Sequence, residues 1–284
     1  MTDRPVALVT GASRGIGKAI AVHLARSGLD IALTARTVAE GESREHSSTL
    51  HKSNTKPLPG SLQSTAELVE AEGVRSLTVP ADLTVRPSVI KAAETVLDQW
   101  GRVDVLVNNG RYIGPGHMDQ FIETPLELLD LHLEANVMAP LALTKVVLPG
   151  MLERGEGWIV NITSGAGYHD PPAAAGNGGW GLGYGMSKGA LHRVAGVLHL
   201  ELADRGIHAY NVQPGFIATE RMFQDMAEFG FDASAGAPPD VMGAVVAWIV
   251  NDPAAADARV EPDGRNFEAQ DVCRELGLLP GWPA

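Results

Sequence analysis

The stretch GYGMSKG at residues 183–189 offers two catalysts in one place. Tyr184 and Lys188 stand four positions apart, so on a helix the phenol and the ammonium share one face. An ammonium beside a phenol favours the phenolate and draws the tyrosine pKa from about 10 toward neutrality, where it serves as a general acid or base. Read instead as Gly185-Met186-Ser187-Lys188-Gly189, the stretch matches G-x-S-x-G, the nucleophile elbow of serine hydrolases. A third reading is a Tyr and a Lys that share a face and do nothing more.

The elbow makes demands that the rest of the chain does not meet. It needs a strand directly before the serine, then an acid and a histidine in that order. Ser187 follows GNGGWGLGYGM, which has no strand pattern, and the last histidine is His208. Acid and base would both fall between 188 and 208, which cannot build a triad of that topology. The tyrosine reading needs only a helix, and Leu191, Val194, Ala195, Leu198 and Leu202 give the apolar stripe of one.

The scaffold expected to carry these groups is an α/β sheet. VALVT (6–10), DIALTA (30–35), SLTVP (76–80), VDVLVNN (103–109), WIVNIT (158–163) and IHAYNV (207–212) read as buried parallel strands. Helical periodicity fills the intervals near 15–27, 62–72, 87–100, 125–152 and 185–205. This alternation predicts a single-domain, Rossmann-like, doubly wound parallel sheet with helices on both faces, spanning residues 1–284. Two segments break the rhythm, a polar insertion at 41–61 and a Gly/Ala/Pro-rich loop at 165–183. Beyond about 252 the pattern weakens to one last strand at RNFEAQ (265–270) and a divergent tail.

After the first strand, VTGASRGIGKAI opens a helix, with Gly11, Gly15 and Gly17 spaced G-x-x-x-G-x-G. Glycines there allow a tight turn and close backbone approach, and the helix N-terminus offers free N–H groups to a pyrophosphate. The second strand ends in ALTAR without the acid that would bind a ribose 2′-hydroxyl. Arg36, with Arg14 from the glycine turn, suits a 2′-phosphate, so NADP(H) is expected over NAD(H), with NAD(H) possible.

Composition narrows the partners. The 284 residues carry a formal net charge of −12, which disfavours nucleic acid and anionic membranes. No uninterrupted apolar run approaches the roughly 20 residues needed to span a bilayer. MTDRPVALVTGAS runs straight into a strand without a signal-peptide pattern, and Cys273 is the only cysteine. A cytoplasmic protein is expected. The nine histidines show no metal-ligand spacing with Cys or carboxylates, so no metal is assigned.

Through these residues and others in the same order, the chain resembles the short-chain dehydrogenase/reductase family, NADP type. The resemblance runs over about residues 4–250, through TGASRGIG (10–17), ADLT (81–84), NNG (108–110), Asn136, Ser164 in NITSGAG, YGMSK (184–188) and QPGFIAT (213–219). It implies that Tyr184 exchanges a proton with the substrate oxygen and that Ser164 hydrogen-bonds that oxygen. Lys188 would lower the Tyr184 pKa and hold the nicotinamide ribose, while Asn136 anchors a water leading to Lys188. Ser13, Ile16 and Thr37 would join the glycines and arginines around the cofactor. Asp82 and Leu83 would flank the adenine and Asn109 the ribose, with Pro214, Gly215, Ile217 and Thr219 toward the carboxamide. Pro140 sharpens the case for Asn136, because a proline four residues on cannot donate to the Asn136 carbonyl.

The chain also departs from the family. NNAG is NNGR here, placing Arg111 where a glycine is usual, and Ser164 precedes Tyr184 by twenty positions, a longer gap than usual. The 41–61 insertion resembles that of hydroxysteroid-dehydrogenase-like members, and its KPLPGSL is expected to brace the adenine end. The implied activity interconverts a secondary alcohol and a ketone or aldehyde; the rival is a catalytically idle NADP-binding sensor or scaffold. Trp180, Phe216, Met222 and Phe223 suggest an apolar pocket for a hydrophobic carbonyl or alcohol substrate. The helix at 125–152 is apolar nearly all round, with Leu129, Leu133, Val137 and Leu141 expected against the sheet. Its remaining apolar faces predict a homodimer or homotetramer.

Overall fold

The computed structural model describes residues 4–225, 229 and 232–283. Its strands are β1 (Val6–Thr10), β2 (Asp30–Thr34), β3 (Ser76–Thr78), β4 (Val105–Asn108), β5 (Gly157–Ile162), β6 (Ile207–Gln213) and β7 (Asn266–Glu268). They form one sheet in the order β3-β2-β1-β4-β5-β6-β7, every neighbouring pair parallel. Every residue of β1, β2 and β4 is buried, which is why the interiors of these runs are apolar instead of alternating.

Helices cover both faces. On one, α1 (Gly15–Arg26) packs against α8 (Asp240–Asn251), with Ile20, Leu24, Val241 and Val245 in the shared core. On the other, α3 (Arg86–Trp100) lies beside α5 (Ala139–Arg154), joined through Val96, Leu143 and Val147. The remaining helices are α2 (Leu62–Ala71), α4 (Leu126–Leu133), α6 (Leu182–Leu202), α7 (Glu220–Asp225), α9 (Pro253–Arg259) and α10 (Ala269–Leu276). The strand order reverses between β1 and β4, and open α/β sheets hold their ligands in the crevice beyond such a reversal.

The long helix expected at 125–152 is not continuous. A π turn at Glu134–Met138 separates α4 from α5. Pro140 explains the widening: it has no N–H for the Asn136 carbonyl and its ring crowds that oxygen, so the four-residue ladder cannot run through. The extra residue per turn also rotates the register. Leu129 and Val137 are buried as expected, but Leu133 and Leu141 are only half-buried, and Leu143, Val147 and Met151 take over the inward face. The span Leu126–Arg154 is long and apolar enough to cross a membrane by length and composition, yet 50% of its most apolar window is buried inside this fold.

The C-terminal region holds more order than its pattern suggested. RNFEAQ does supply β7 beside β6, and α9 and α10 follow the same core, Ala256, Ala269 and Cys273 being fully buried in it.

Candidate active site

The glycine-rich turn after β1 is built for close approach. Gly11 has φ +65, and a Cβ there would come within 2.8 Å of the Gly110 Cα. At Gly17 an added Cβ would stand 2.3 Å from the Gly11 oxygen. Only glycine fits either position, and the turn that results aims the α1 N-terminus into the crevice. Asn109 braces it from β4, its Nδ2 donating to the Thr10 oxygen at 2.8 Å. This amide is therefore partly spent on holding the turn, beyond the ribose contact the resemblance implies.

A cleft of about 240 Å³ opens in front of the turn. Gly11, Ser13, Arg14, Gly15, Ile16 and Gly17 line its base. Arg36, Thr37, Asp82 and Leu83 line the side reached from β2 and β3, and Asn109, Tyr184, Lys188, Pro214 and Thr219 the other. Gly215, Ile217, Asn136 and Ser164 do not line it. Ile217 is buried beneath, bridged to Ala237, and Gly215 is exposed.

The two arginines expected at the adenine end are used differently. Arg14 donates from Nε to the Pro59 oxygen at 2.8 Å and from Nη2 to the oxygens of Leu58 (3.2 Å) and Gly60 (2.6 Å). It thus pins KPLPGSL of the insertion onto the glycine turn with Nε and Nη2, while still lining the cleft. Arg36 makes no side-chain hydrogen bond among the described residues and faces the cleft. Arg44 joins it there, donating to the Arg36 oxygen and to Glu42 Oε2 at 2.7 Å. Nothing in the spacing of the insertion singled out Arg44.

On the opposite side, α6 carries the phenol and the amine. Lys188 is buried, and its Nζ donates to the Ile162 oxygen at 2.7 Å. Burial, aided by the charge of Arg111, pushes its pKa from 10.5 down to about 7. Tyr184, one turn earlier, is half-buried. Ser187 is fully buried: its hydroxyl accepts from Asn136 Nδ2 at 2.8 Å and donates to the Tyr184 oxygen at 3.1 Å. A serine closed in this way reaches no acyl substrate, and no strand precedes it. The Asn136 Oδ1 accepts from the Tyr112 N–H at 2.6 Å, so this amide ties α6 to the loop after β4. Its backbone oxygen, opposite Pro140, lacks the usual donor. Ser164 lies two residues past β5 and caps the short turn Gly165–Gly167, its Oγ accepting from the Ala166 N–H at 3.3 Å.

Three residues at this end were given no role by the sequence. The Arg111 Cζ lies 5.5 Å from the centroid of the Tyr184 ring, and its Nη1 donates to the Tyr112 oxygen at 3.0 Å and to His117 Nδ1 at 3.1 Å. The His117 ring lies 4.4 Å from that of Tyr184, inclined by 30°. His132, fully buried, packs edge-on to Tyr112 at 4.7 Å, and neither ring nitrogen has a partner among the described residues. Burial pushes the His132 pKa to about 4 and that of His117 well below the ordinary histidine range, the charge of Arg111 acting in the same direction. Arg111 was noticed only as a departure from the usual glycine, and no spacing links the two histidines to Tyr184.

The apolar wall is looser than expected: Phe223 is 63% exposed. Trp180 packs on α6 beside Gly185, its indole Nε1 3.4 Å from where a Cβ there would stand, and does not line the cleft.

This arrangement has close counterparts. The sequence matches the family model for short chain dehydrogenases over residues 5–57 and 55–228. It is 34% identical over 221 residues to the mouse protein "Dehydrogenase/reductase SDR family member 7", covering 78% of this chain and 57% of that one. The chain therefore spans little more than half the length of that relative. It is 32% identical over 258 residues to a Synechocystis 3-oxoacyl-[acyl-carrier-protein] reductase, covering 88% of this chain and 91% of the relative. A metagenomic short-chain oxidoreductase solved in complex with NADP superposes with a TM-score of 0.65 at 28% identity, covering 86% of this chain and 90% of that one. A parallel sheet in this order, a glycine cradle at its reversal point and the match over most of the chain lead to one conclusion: the protein belongs to the short-chain dehydrogenase/reductase family.

Proposed function

We propose that this protein is an NADP(H)-dependent oxidoreductase that interconverts a secondary alcohol and a ketone or aldehyde, with NAD(H) as a weaker alternative cofactor. The observation that carries the reading is the facing of Tyr184 and Lys188 across one cleft from the glycine cradle of Gly11 and Gly17. The cradle fits a dinucleotide, because its backbone approaches too closely for any Cβ and a helix N-terminus stands behind it. Arg36, whose side chain makes no hydrogen bond among the described residues, supports a 2′-phosphate. Glu42 also lines the cleft, but its oxygens are occupied by Arg44 and by the N–H groups of Val38 and Ala39.

When bound, the nicotinamide supplies or accepts the hydride. The chain's part is proton transfer and positioning. Tyr184 gives its proton to the carbonyl oxygen during reduction and takes it back during oxidation. Lys188 holds a charge beside that phenol below about pH 7, and Ser164 steadies the substrate oxygen. The backbone oxygen of Asn136 suits a water leading to Lys188. The exposed Leu126 (70%), Val197 (52%) and Leu200 (86%) on α4 and α6 support self-association through these helices. A carbonyl screen following NADPH absorbance, with NADH in parallel, tests the reading. Turnover with NADPH is expected; NADPH binding without turnover of any carbonyl would leave the idle-sensor reading in its place.

A further inference from the structure

Resting on the reading above, we propose that Arg111 receives the carboxylate of the substrate, so that this enzyme acts on oxo acids and hydroxy acids. Arg111 carries a charge with no carboxylate against it among the described residues. Only Nη1 of its guanidinium makes hydrogen bonds there, to a carbonyl oxygen and an imidazole nitrogen. Nε and Nη2 have no partner among the described residues, and burial lowers the Arg111 pKa. Arg111 is half-buried, and a partly desolvated cation gains by meeting an anion.

The surroundings deepen the deficit. The charge of Arg111 disfavours that of the buried Lys188, and Arg221 joins both in the positive field at His117. The protein as a whole has a net charge of −12, so this is a local concentration of positive charge against the general trend. Such a basin selects anions.

Position then chooses the anion. Arg111 stands over the face of the Tyr184 ring and lines the same cleft, within a few ångströms of the phenol that must touch the reacting oxygen. A guanidinium presents its donors as a planar fork matched to a carboxylate. A substrate whose carbonyl accepts the Tyr184 proton can rest its carboxylate on Arg111 if the two groups are one or two carbons apart. That describes a 2-oxo or 3-oxo acid. In the reduction the carbonyl carbon gains a hydride from the reduced nicotinamide, its oxygen gains the Tyr184 proton, and the carboxylate is unchanged. The carbon skeleton is left for the rest of the cleft.

Two acid–ester pairs test this: 2-oxobutanoate and acetoacetate, each against its methyl ester, which keeps the carbonyl and removes the charge. Reduction kinetics and quenching of bound NADPH fluorescence are measured for the wild type, Arg111→Gln and Arg111→Gly, the last restoring the residue usual in the family. Wild type is expected to favour one acid over its ester in kcat/KM by about tenfold or more, and both variants to lose that preference mainly through KM. NADPH affinity should change less than about threefold, far below the loss of a charge-assisted pair. Equal use of acid and ester by the wild type would overturn the proposal while leaving the oxidoreductase reading intact. An acid preference that survives in Arg111→Gln, or a variant that loses NADPH affinity with no change in preference, would also overturn it, the last assigning Arg111 to the cofactor. Neither acid perturbing the protein–NADPH complex would overturn it too, whereas failure of NADPH itself to bind would sink the oxidoreductase reading beneath it.

Discussion

Replacing Lys188 with Met removes a buried amine whose cost to the fold can be worked out. Burial and Arg111 hold its pKa near 7, against 10.5 for an ordinary lysine. The folded state therefore releases its proton near pH 7, while the unfolded chain keeps it until about 10.5. Between those values the unfolded state binds more protons, so stability rises with pH at up to about 1.4 kcal/mol per unit. Below pH 7 both states are protonated and the penalty is fully present, on the order of 5 kcal/mol at most. Lys188→Met escapes it but strands the Ile162 carbonyl, at about 1–3 kcal/mol. The variant should thus match or exceed wild-type stability at pH 6. From pH 7 to pH 9 the wild type alone should gain on the order of 2 kcal/mol. Urea unfolding of both proteins at pH 6, 7, 8 and 9, at one protein concentration, isolates this group, since every other titration is common to the pair. Parallel stability curves across that range would refute the reasoning.

Tyr184→Phe should abolish turnover and leave NADPH affinity nearly intact, whereas Ser187→Ala should keep most activity. Ser187→Ala should nonetheless cost about 1–3 kcal/mol in thermal or urea unfolding, because Asn136 Nδ2 loses its acceptor; an inactive Ser187→Ala beside an active Tyr184→Phe would reverse the assignment. Arg36→Ala should weaken NADPH far more than NADH in fluorescence titrations, and equal losses would remove the 2′-phosphate argument. Light scattering at micromolar concentration should give a multiple of the 30.0 kDa chain mass; the monomer mass would rule out pairing through α4 and α6.

What could be read in the sequence followed from strong local signals. The strands that form the sheet's centre are unbroken β-branched runs, and β1, β2 and β4 fall within a residue or two of their expected bounds. The glycine turn was legible because three glycines follow a strand and open a helix. Tyr184 and Lys188 were legible because an apolar stripe fixed their helix. α8 was missed: its interior is almost entirely apolar and buried, so no polar face marks a helical period. The slip from Leu133 and Leu141 to Leu143 and Val147 came from the π turn, which no 3.6-residue template contains. Arg14 was assigned by motif to a phosphate and is held by carbonyls from a segment some 45 residues on, a contact that only the folded insertion creates. Arg111 and His117 meet Tyr184 from the loop after β4, at a sequence distance where spacing carries no information.

That insertion shows how a polar segment becomes part of a site. His46, Ser47, Ser48 and Thr49 are each under 8% exposed, although the composition of 41–61 is that of a solvated loop. Burial is tolerated because distant elements supply partners. Asp119 accepts from the Thr49 hydroxyl and from the Leu50 N–H, and the Met118 N–H donates to the Ser48 oxygen at 2.9 Å. Arg221, at the start of α7, donates to the His46 oxygen and to the Ser48 hydroxyl. At its other end the insertion is pinned by Arg14 to the glycine turn. One strap therefore joins the cradle to the loop that carries Arg111 and His117, and to α7. Unsatisfied polar groups are costly enough that its middle cannot lift without breaking contacts at both walls. The glycine-cradle side and the Arg111 side of this cleft are thus tied to the same strap.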